Sequence, residues 1–227
     1  MNRIASRYAS ATFTGFDNVL PRSRTVGQIL GDEISPFHKG GQGGFSTQPV
    51  NAPSLPHVFI MGGSQGSRIL YETFASLLQT NPLIASSFTF HITLGKLNSD
   101  LKPLFTHNNV HVFDFLTQKE MGELYQISDL CLARGGTTSL AEQKLFNIKS
   151  IIVPIPRTHD QMDNAKRYVR HHSDILLDQT SPTFLQDMEQ TFLSLLHYRK
   201  PPIQKDIFTE IQQAKKLIRE EILDLHL

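Results

Sequence analysis

The chain is expected to fold as an α/β protein with a Rossmann-like, doubly wound parallel sheet. Three features lead there. Short apolar runs rich in β-branched and aromatic residues recur between His57 and Leu177, each followed by a segment of helical period. Two of the strand-to-helix junctions are glycine-rich, Gly62-Gly63-Ser64-Gln65-Gly66-Ser67 and Arg134-Gly135-Gly136-Thr137-Thr138-Ser139. Parallel crossovers are right-handed, so six strands alternating with helices leave few other arrangements.

The elements follow in order. Residues 1–35 hold a possible short helix and two possible strands, at Ala11–Phe16 and Thr25–Leu30, and are too few for a domain. Residues 36–56 combine Gly and Pro with polar residues without a period and read as a linker or long loop. His57–Met61 is a strand. Ser67–Gln79 carries apolar residues at Ile69, Leu70, Phe74, Leu77 and Leu78 and reads as a helix. Phe88–Leu94 is a strand, Leu97–Phe105 a short helix and Asn109–Phe113 the next strand. Thr117 with Glu120 has capping-box spacing and opens a helix to Ile127. Asp129–Leu132 is a strand, Thr137–Phe146 a helix, Ser150–Ile155 a strand, His159–His171 a helix and Asp174–Leu177 the last strand. Ser181-Pro182 reads as N-cap and first-turn proline of a helix over Thr183–Tyr198. Ile203–Leu225 reads as a terminal helix with apolar residues at 207, 208, 211, 214, 217, 218 and 222. The expected organisation is a remnant of an N-terminal domain (1–35), a linker (36–56), a nucleotide-sugar-binding domain (57–200) and a C-terminal helix (201–227).

Composition narrows the function. With 22 Lys+Arg against 21 Asp+Glu in 227 residues, the chain has no electrostatic footprint for nucleic acid. A single cysteine, Cys131, excludes an internal disulfide framework and a cysteine-only metal cage, and fits a reducing cytoplasm. No apolar run approaches the length of a spanning helix, so the expectation is a cytoplasmic protein, peripheral on a membrane at most. No cofactor and no metal are expected.

Open parallel sheets bind ligands at the carboxyl ends of their strands. Three loops there carry chemistry. The Gly62–Ser67 junction lets backbone approach a phosphate at a helix N-terminus, or is a turn for tight packing. The Arg134–Ser139 run repeats that cradle. Within it, Thr138 or Ser139 is read as N-cap, and Glu142 either holds a ribose through its hydroxyls or is a first-turn acid favoured by the helix dipole. Gln161 and Asn164 lie three apart at a helix start, where their amides read sugar hydroxyls or are surface polar groups. His159-Asp160 has no further ligand at metal spacing.

HVFIMGGSQGSRIL, then FDFL before the capped helix, then SDLCLARGGTTSLAE and VPIPRTHDQMDNA resemble, in that order over roughly residues 1–200, the C-terminal domain of MurG-type glycosyltransferases. The resemblance implies one half of a GT-B glycosyltransferase that transfers N-acetylglucosamine from UDP-GlcNAc to a lipid-linked acceptor, a peptidoglycan precursor, by inverting displacement. It implies Ser64, Gln65 and Gly66 at the diphosphate, backbone of Leu116 at the uracil, Arg134 and Gly136 in the cradle, and Thr137, Thr138 and Ser139 opening the helix toward the phosphates. It also implies Glu142 on the ribose and Gln161 with Asn164 on the sugar. The family's hinge arginine has no counterpart at Gly27–Gly31, and its usual His-Gln is Asp160-Gln161 here. The catalytic base and acceptor site belong to the family's other domain, which implies either a partner subunit carrying the acceptor-binding half or a chain truncated at its N-terminus. The competing expectations are a non-catalytic nucleotide-sugar-binding subunit and an enzyme like a UDP-GlcNAc epimerase.

Overall fold

A computed structural model describes residues 12–14, 23–25, 55–203 and 205–224. Its main body is a six-stranded, all-parallel sheet. The strands are β3 (His57–Met61), β4 (Thr89–Thr93), β5 (Val110–Phe113), β6 (Leu130–Ala133), β7 (Lys149–Ile152) and β8 (Ile175–Leu176), in the spatial order β5-β4-β3-β6-β7-β8. The chain winds outward from β3 to β5, then returns to lay β6 against the free side of β3. Strand order therefore reverses between β3 and β6, and the loops leaving those two strands diverge to open a crevice. Two short strands, β1 (Phe13–Thr14) and β2 (Arg24–Thr25), pair in parallel outside this sheet.

Alternation along the strands separates two cores. Val58 and Ile60 of β3 face one side, where α1 (Arg68–Thr80), α2 (Pro82–Ser87) and α6 (Phe184–Ser194) close over Phe90, Ile92, Leu130 and Leu132. A cluster of Phe74, Phe88, Phe90 and Phe192, with ring centroids 5.1–6.3 Å apart, fills that layer. Phe59 and Met61 face the other side, covered by α3 (Gln118–Ile127) and α4 (Thr137–Leu145) through Leu124, Tyr125, Ala141 and Leu145. Ala165 and Tyr168 of α5 (His159–His172) cover Ile152 beyond them. Helices on both faces make the sheet doubly wound, as the sequence predicts.

Most boundaries agree within two residues, and the Thr117–Glu120 capping box is formed in full. Four expectations differ. Residues 99–104 form a 3-10 helix rather than an α-helix, with Pro103 inside it. The strand expected to reach Ile155 stops at Ile152. Thr183, not Ser181, is the N-cap of α6, because Ser181 Oγ accepts the Thr183 N–H and closes a local turn instead. The same helix ends at Ser194, short of Tyr198. Of the expected strands at Ala11–Phe16 and Thr25–Leu30, residues 12–14 and 25 are described and include β1 (Phe13–Thr14) and the Thr25 end of β2, and the rest lie outside the described residues. The short helix expected in residues 1–35 and the linker at 36–54 lie outside the described residues. The terminal helix α7 spans Lys205–Asp224, and Glu221 on it pairs with Arg24 of β2 at 2.9 Å.

At the amino edge of the sheet, three imidazoles stack across neighbouring strands. His57 Nδ1 is 3.0 Å from His91 Nε2, and the His91 and His111 rings lie 5.2 Å apart. Asp129, Arg199 and Lys200 surround the His57 end. Burial lowers the His57 pKa and drives His91 down to about 3, since a protonated ring would be desolvated beside other imidazoles. The folded state therefore resists protonation, and the stability present above pH 6.5 is lost as pH falls toward about 3. We expect His91→Phe to flatten that acid limb in denaturant melts across this range. An unchanged limb would show that other groups drive acid unfolding.

Candidate functional site

The crevice at the strand switch point holds a cavity of about 280 Å³. It is lined by Gly62, Gly63, Ser64, Gln65, Gly66, Arg134, Gly136, Ser139 and Gln161, all in segments singled out from the sequence, and by Met61, Ala133 and Ile155. Leu116, Thr137, Thr138, Glu142 and Asn164 do not line it.

The first wall is the β3–α1 loop. The Gly62 N–H donates to the Tyr71 hydroxyl at 2.9 Å, and that hydroxyl donates to the Thr93 carbonyl at 2.8 Å. Burial pushes the Tyr71 pKa up to about 12, so it remains a donor at neutral pH. The Gly66 N–H donates to the Gly63 carbonyl at 2.9 Å, and Asn98 Nδ2 donates to the Gln65 carbonyl at 2.9 Å. Gly66 has φ +81°, and a Cβ there would overlap the Leu94 carbonyl oxygen and the Asn98 amide. Only glycine fits this contact between the exits of β3 and β4.

The second wall is the β6–α4 turn. Gly136, not Thr138 or Ser139, is the N-cap of α4, so all three hydroxyl residues lie in the first helical turn. Glu142 is the sixth helical residue, and no acidic residue sits in the first turn. The reading of Glu142 as a first-turn dipole acid is therefore wrong. Its residue is 8% exposed, and its Oε2 accepts from the Tyr125 hydroxyl at 3.1 Å. That hydroxyl also donates to Met61 Sδ at 3.4 Å, and Met61 lines the cavity while Glu142 does not. Burial raises the Glu142 pKa above the ordinary carboxylate value.

The third wall is the start of α5. Gln161 Oε1 accepts the Ile155 N–H at 3.0 Å, so its NH2 is the group it can offer a ligand. Asn164 Nδ2 donates to Thr137 Oγ1 at 2.8 Å and to the Gly135 carbonyl at 3.2 Å. Asn164 thus ties α5 to the β6–α4 turn. The His159 side chain lies outside the described residues.

The electrostatics of the three walls agree. Helices α1, α4 and α5 all begin at this edge, with N-caps Ser67, Gly136 and Thr158, and none of the three receives a side-chain cap. By contrast α3 has its full capping box and α2 a cap from Asn81, while α6, whose N-cap Thr183 does not line the cavity, is uncapped as well. Uncapped helix N-termini leave N–H donors and positive dipole ends for an anion. Arg134 adds a half-buried cation whose described partners are all neutral. Among the described residues, no group of three or more His, Cys, Asp or Glu side chains is arranged to hold a metal ion.

One exposed aromatic was not foreseen. Phe115, 61% exposed, precedes Leu116 at the carboxyl edge of β5. Such a ring on a loop at a ligand edge offers a stacking surface. Its sequence signal was the second phenylalanine of FDFL, directly after the strand.

Comparison with known proteins bears on this site. The glycosyltransferase family 28 C-terminal domain profile matches residues 57–221. A curated relative from Vesicomyosocius okutanii, named UDP-N-acetylglucosamine--N-acetylmuramyl-(pentapeptide) pyrophosphoryl-undecaprenol N-acetylglucosamine transferase, is 29% identical over 98% of this chain and 59% of its own length. A transferase of the same name from Xanthomonas axonopodis pv. citri is 28% identical over 85% of this chain and 45% of its own. The chain spans about half the length of the curated relatives it matches. Among solved structures, Acinetobacter baumannii MurG superposes with a TM-score of 0.63 at 20% identity, covering 95% of this chain and 58% of that one. The calicheamicin glycosyltransferase CalG4 superposes at 0.58 and 14% identity, covering 95% of this chain and 51% of its own. These two share the fold.

Proposed function

Because the chain belongs to the glycosyltransferase family 28 C-terminal domain family, we propose that it is the donor-binding half of a transferase that moves N-acetylglucosamine from UDP-GlcNAc to a lipid-linked acceptor. The observation that carries this reading is the convergence of three uncapped helix N-termini and an unneutralised arginine on one crevice, which suits a diphosphate. Both curated relatives are named as UDP-N-acetylglucosamine transferases acting on an undecaprenol-linked acceptor.

In this reading the diphosphate lies against the Ser64–Gly66 backbone and the start of α4. As the bond to the anomeric carbon breaks, charge grows on the departing UDP, and these fixed dipoles meet it without reorganising. The uracil takes the backbone of Leu116, with the Phe115 ring beside it. Glu142, one turn further along α4, accepts the ribose hydroxyls. Gln161, with Asn164 behind it, meets the sugar. Described residues lining the cavity include no carboxylate or imidazole to deprotonate an acceptor hydroxyl. The base and acceptor site therefore come from a second unit, in the same protein or in a partner subunit. No helix among the described residues is long and apolar enough to cross a membrane. The complex meets its lipid-linked acceptor from the cytoplasmic face, as a peripheral protein.

The test is a transfer assay with UDP-GlcNAc and a lipid-linked acceptor. The 227-residue chain alone is expected to bind donor and give no turnover, and an added acceptor-binding half is expected to restore transfer. Turnover by the chain alone would refute the division of labour. Donor binding without transfer in any pairing would favour a non-catalytic nucleotide-sugar-binding subunit.

A further inference from the structure

Arg134 leaves the end of β6 and ties three loops together. Its Nη1 donates to the Val153 carbonyl at 2.9 Å, just past β7, and to Gln179 Oε1, in the loop after β8. Its Nη2 donates to Ser67 Oγ, the N-cap of α1. Ser67 gives α1 no side-chain cap. Nε is buried without a partner, and the residue lines the cavity. The guanidinium is held from three sides by a carbonyl, an amide and a hydroxyl, none of which carries charge.

Gln179 is the side chain in this set whose chemistry could have differed at the same shape. It does not line the cavity, so it acts through Arg134. A glutamate there would accept the same hydrogen bond and form an ion pair, neutralising the cation beside the cavity. An amide accepts the bond and leaves the whole charge for a ligand.

Resting on the donor-site reading above, we propose that Gln179 is a positioning residue that holds the Arg134 guanidinium in the diphosphate crevice while leaving its charge unneutralised. Recognition of the nucleotide's anionic part then depends on residue 179, and recognition of its nucleoside part does not.

The experiment compares the parent chain, Gln179→Glu and Gln179→Met by calorimetry and ligand-observed NMR, with UDP, inorganic pyrophosphate and uridine as probes. Thermal melts establish that each variant folds. Gln179→Glu is expected to weaken UDP and pyrophosphate on the order of tenfold or more, the size of one charge-assisted hydrogen bond. Uridine binding should be unchanged. Gln179→Met, which removes the acceptor without adding charge, should weaken both anions less. If Gln179→Glu binds both anions like the parent, or loses uridine in equal measure, the proposal is overturned. A parent that binds pyrophosphate but not uridine removes the nucleoside reading, and the role of Gln179 is then decided on pyrophosphate. A parent that binds none of the three removes both.

Discussion

Gly66→Ala is expected to lower stability by about 3 kcal/mol or more and to abolish measurable UDP binding. Two costs combine. The left-handed φ of +81° is strained for any residue with a Cβ, and that Cβ would overlap backbone at Leu94, which cannot rotate away. The β3–α1 loop would have to move, and with it the N–H groups that face the crevice. Gly63→Ala isolates the first cost. Gly63 has φ +88° but open space around its Cβ position, so only the strain of about 1 kcal/mol remains. Chemical denaturation of both variants measures the difference. Equal destabilisation would mean that the β3–β4 exit contact is not what holds the loop.

The second large effect concerns Glu142. Gln in its place keeps an acceptor for the Tyr125 hydroxyl and removes a desolvated charge. The raised pKa means that the folded chain favours the protonated carboxyl. Its contribution to stability is fullest below pH 4.5 and is lost as pH rises through the raised value. At neutral pH, Glu142→Gln should therefore be at least as stable as the parent, and its stability should no longer decline across that window. UDP affinity should move the opposite way. Losing one charged hydrogen bond to the ribose costs roughly 1.5–3 kcal/mol, about 10- to 150-fold in affinity. A gain in stability coupled to a loss of binding is the pattern of a residue kept for a ligand. If Glu142→Gln binds UDP as tightly as the parent, Glu142 serves only the Tyr125 contact.

Much of the fold was legible because strand and helix periods differ so clearly here. The alternation in β3, with Val58 and Ile60 on one face and Phe59 and Met61 on the other, is a local property. So is the Thr117–Glu120 box. Both glycine-rich junctions, at the exits of β3 and β6, contribute to the crevice wall. What escaped were properties that depend on distant partners. Ser67 has the right identity for a cap, yet it caps no N–H of α1 and its hydroxyl accepts from Arg134, 67 residues away. Ser181-Pro182 has the right pattern for a helix start, yet a two-residue turn captures the hydroxyl first. Thr138 and Ser139 are favourable N-caps by type, but the Gly135-Gly136 turn begins α4 earlier. Glu142 was placed by sequence on the cradle side of α4. Its burial and its bond to Tyr125, on another helix, could not be read from spacing. Met61 and Ile155 read as strand residues, yet both contribute to the cavity wall.

The central claim is that the crevice between β3 and β6 binds the diphosphate of a uridine nucleotide sugar. Calorimetric titration of the chain with UDP-GlcNAc, UDP and uridine tests it most directly. The account predicts one site per chain, UDP and UDP-GlcNAc binding well above uridine, and loss of that preference in Gly66→Ala. No heat with UDP or UDP-GlcNAc, or equal affinity for uridine and UDP, would contradict it.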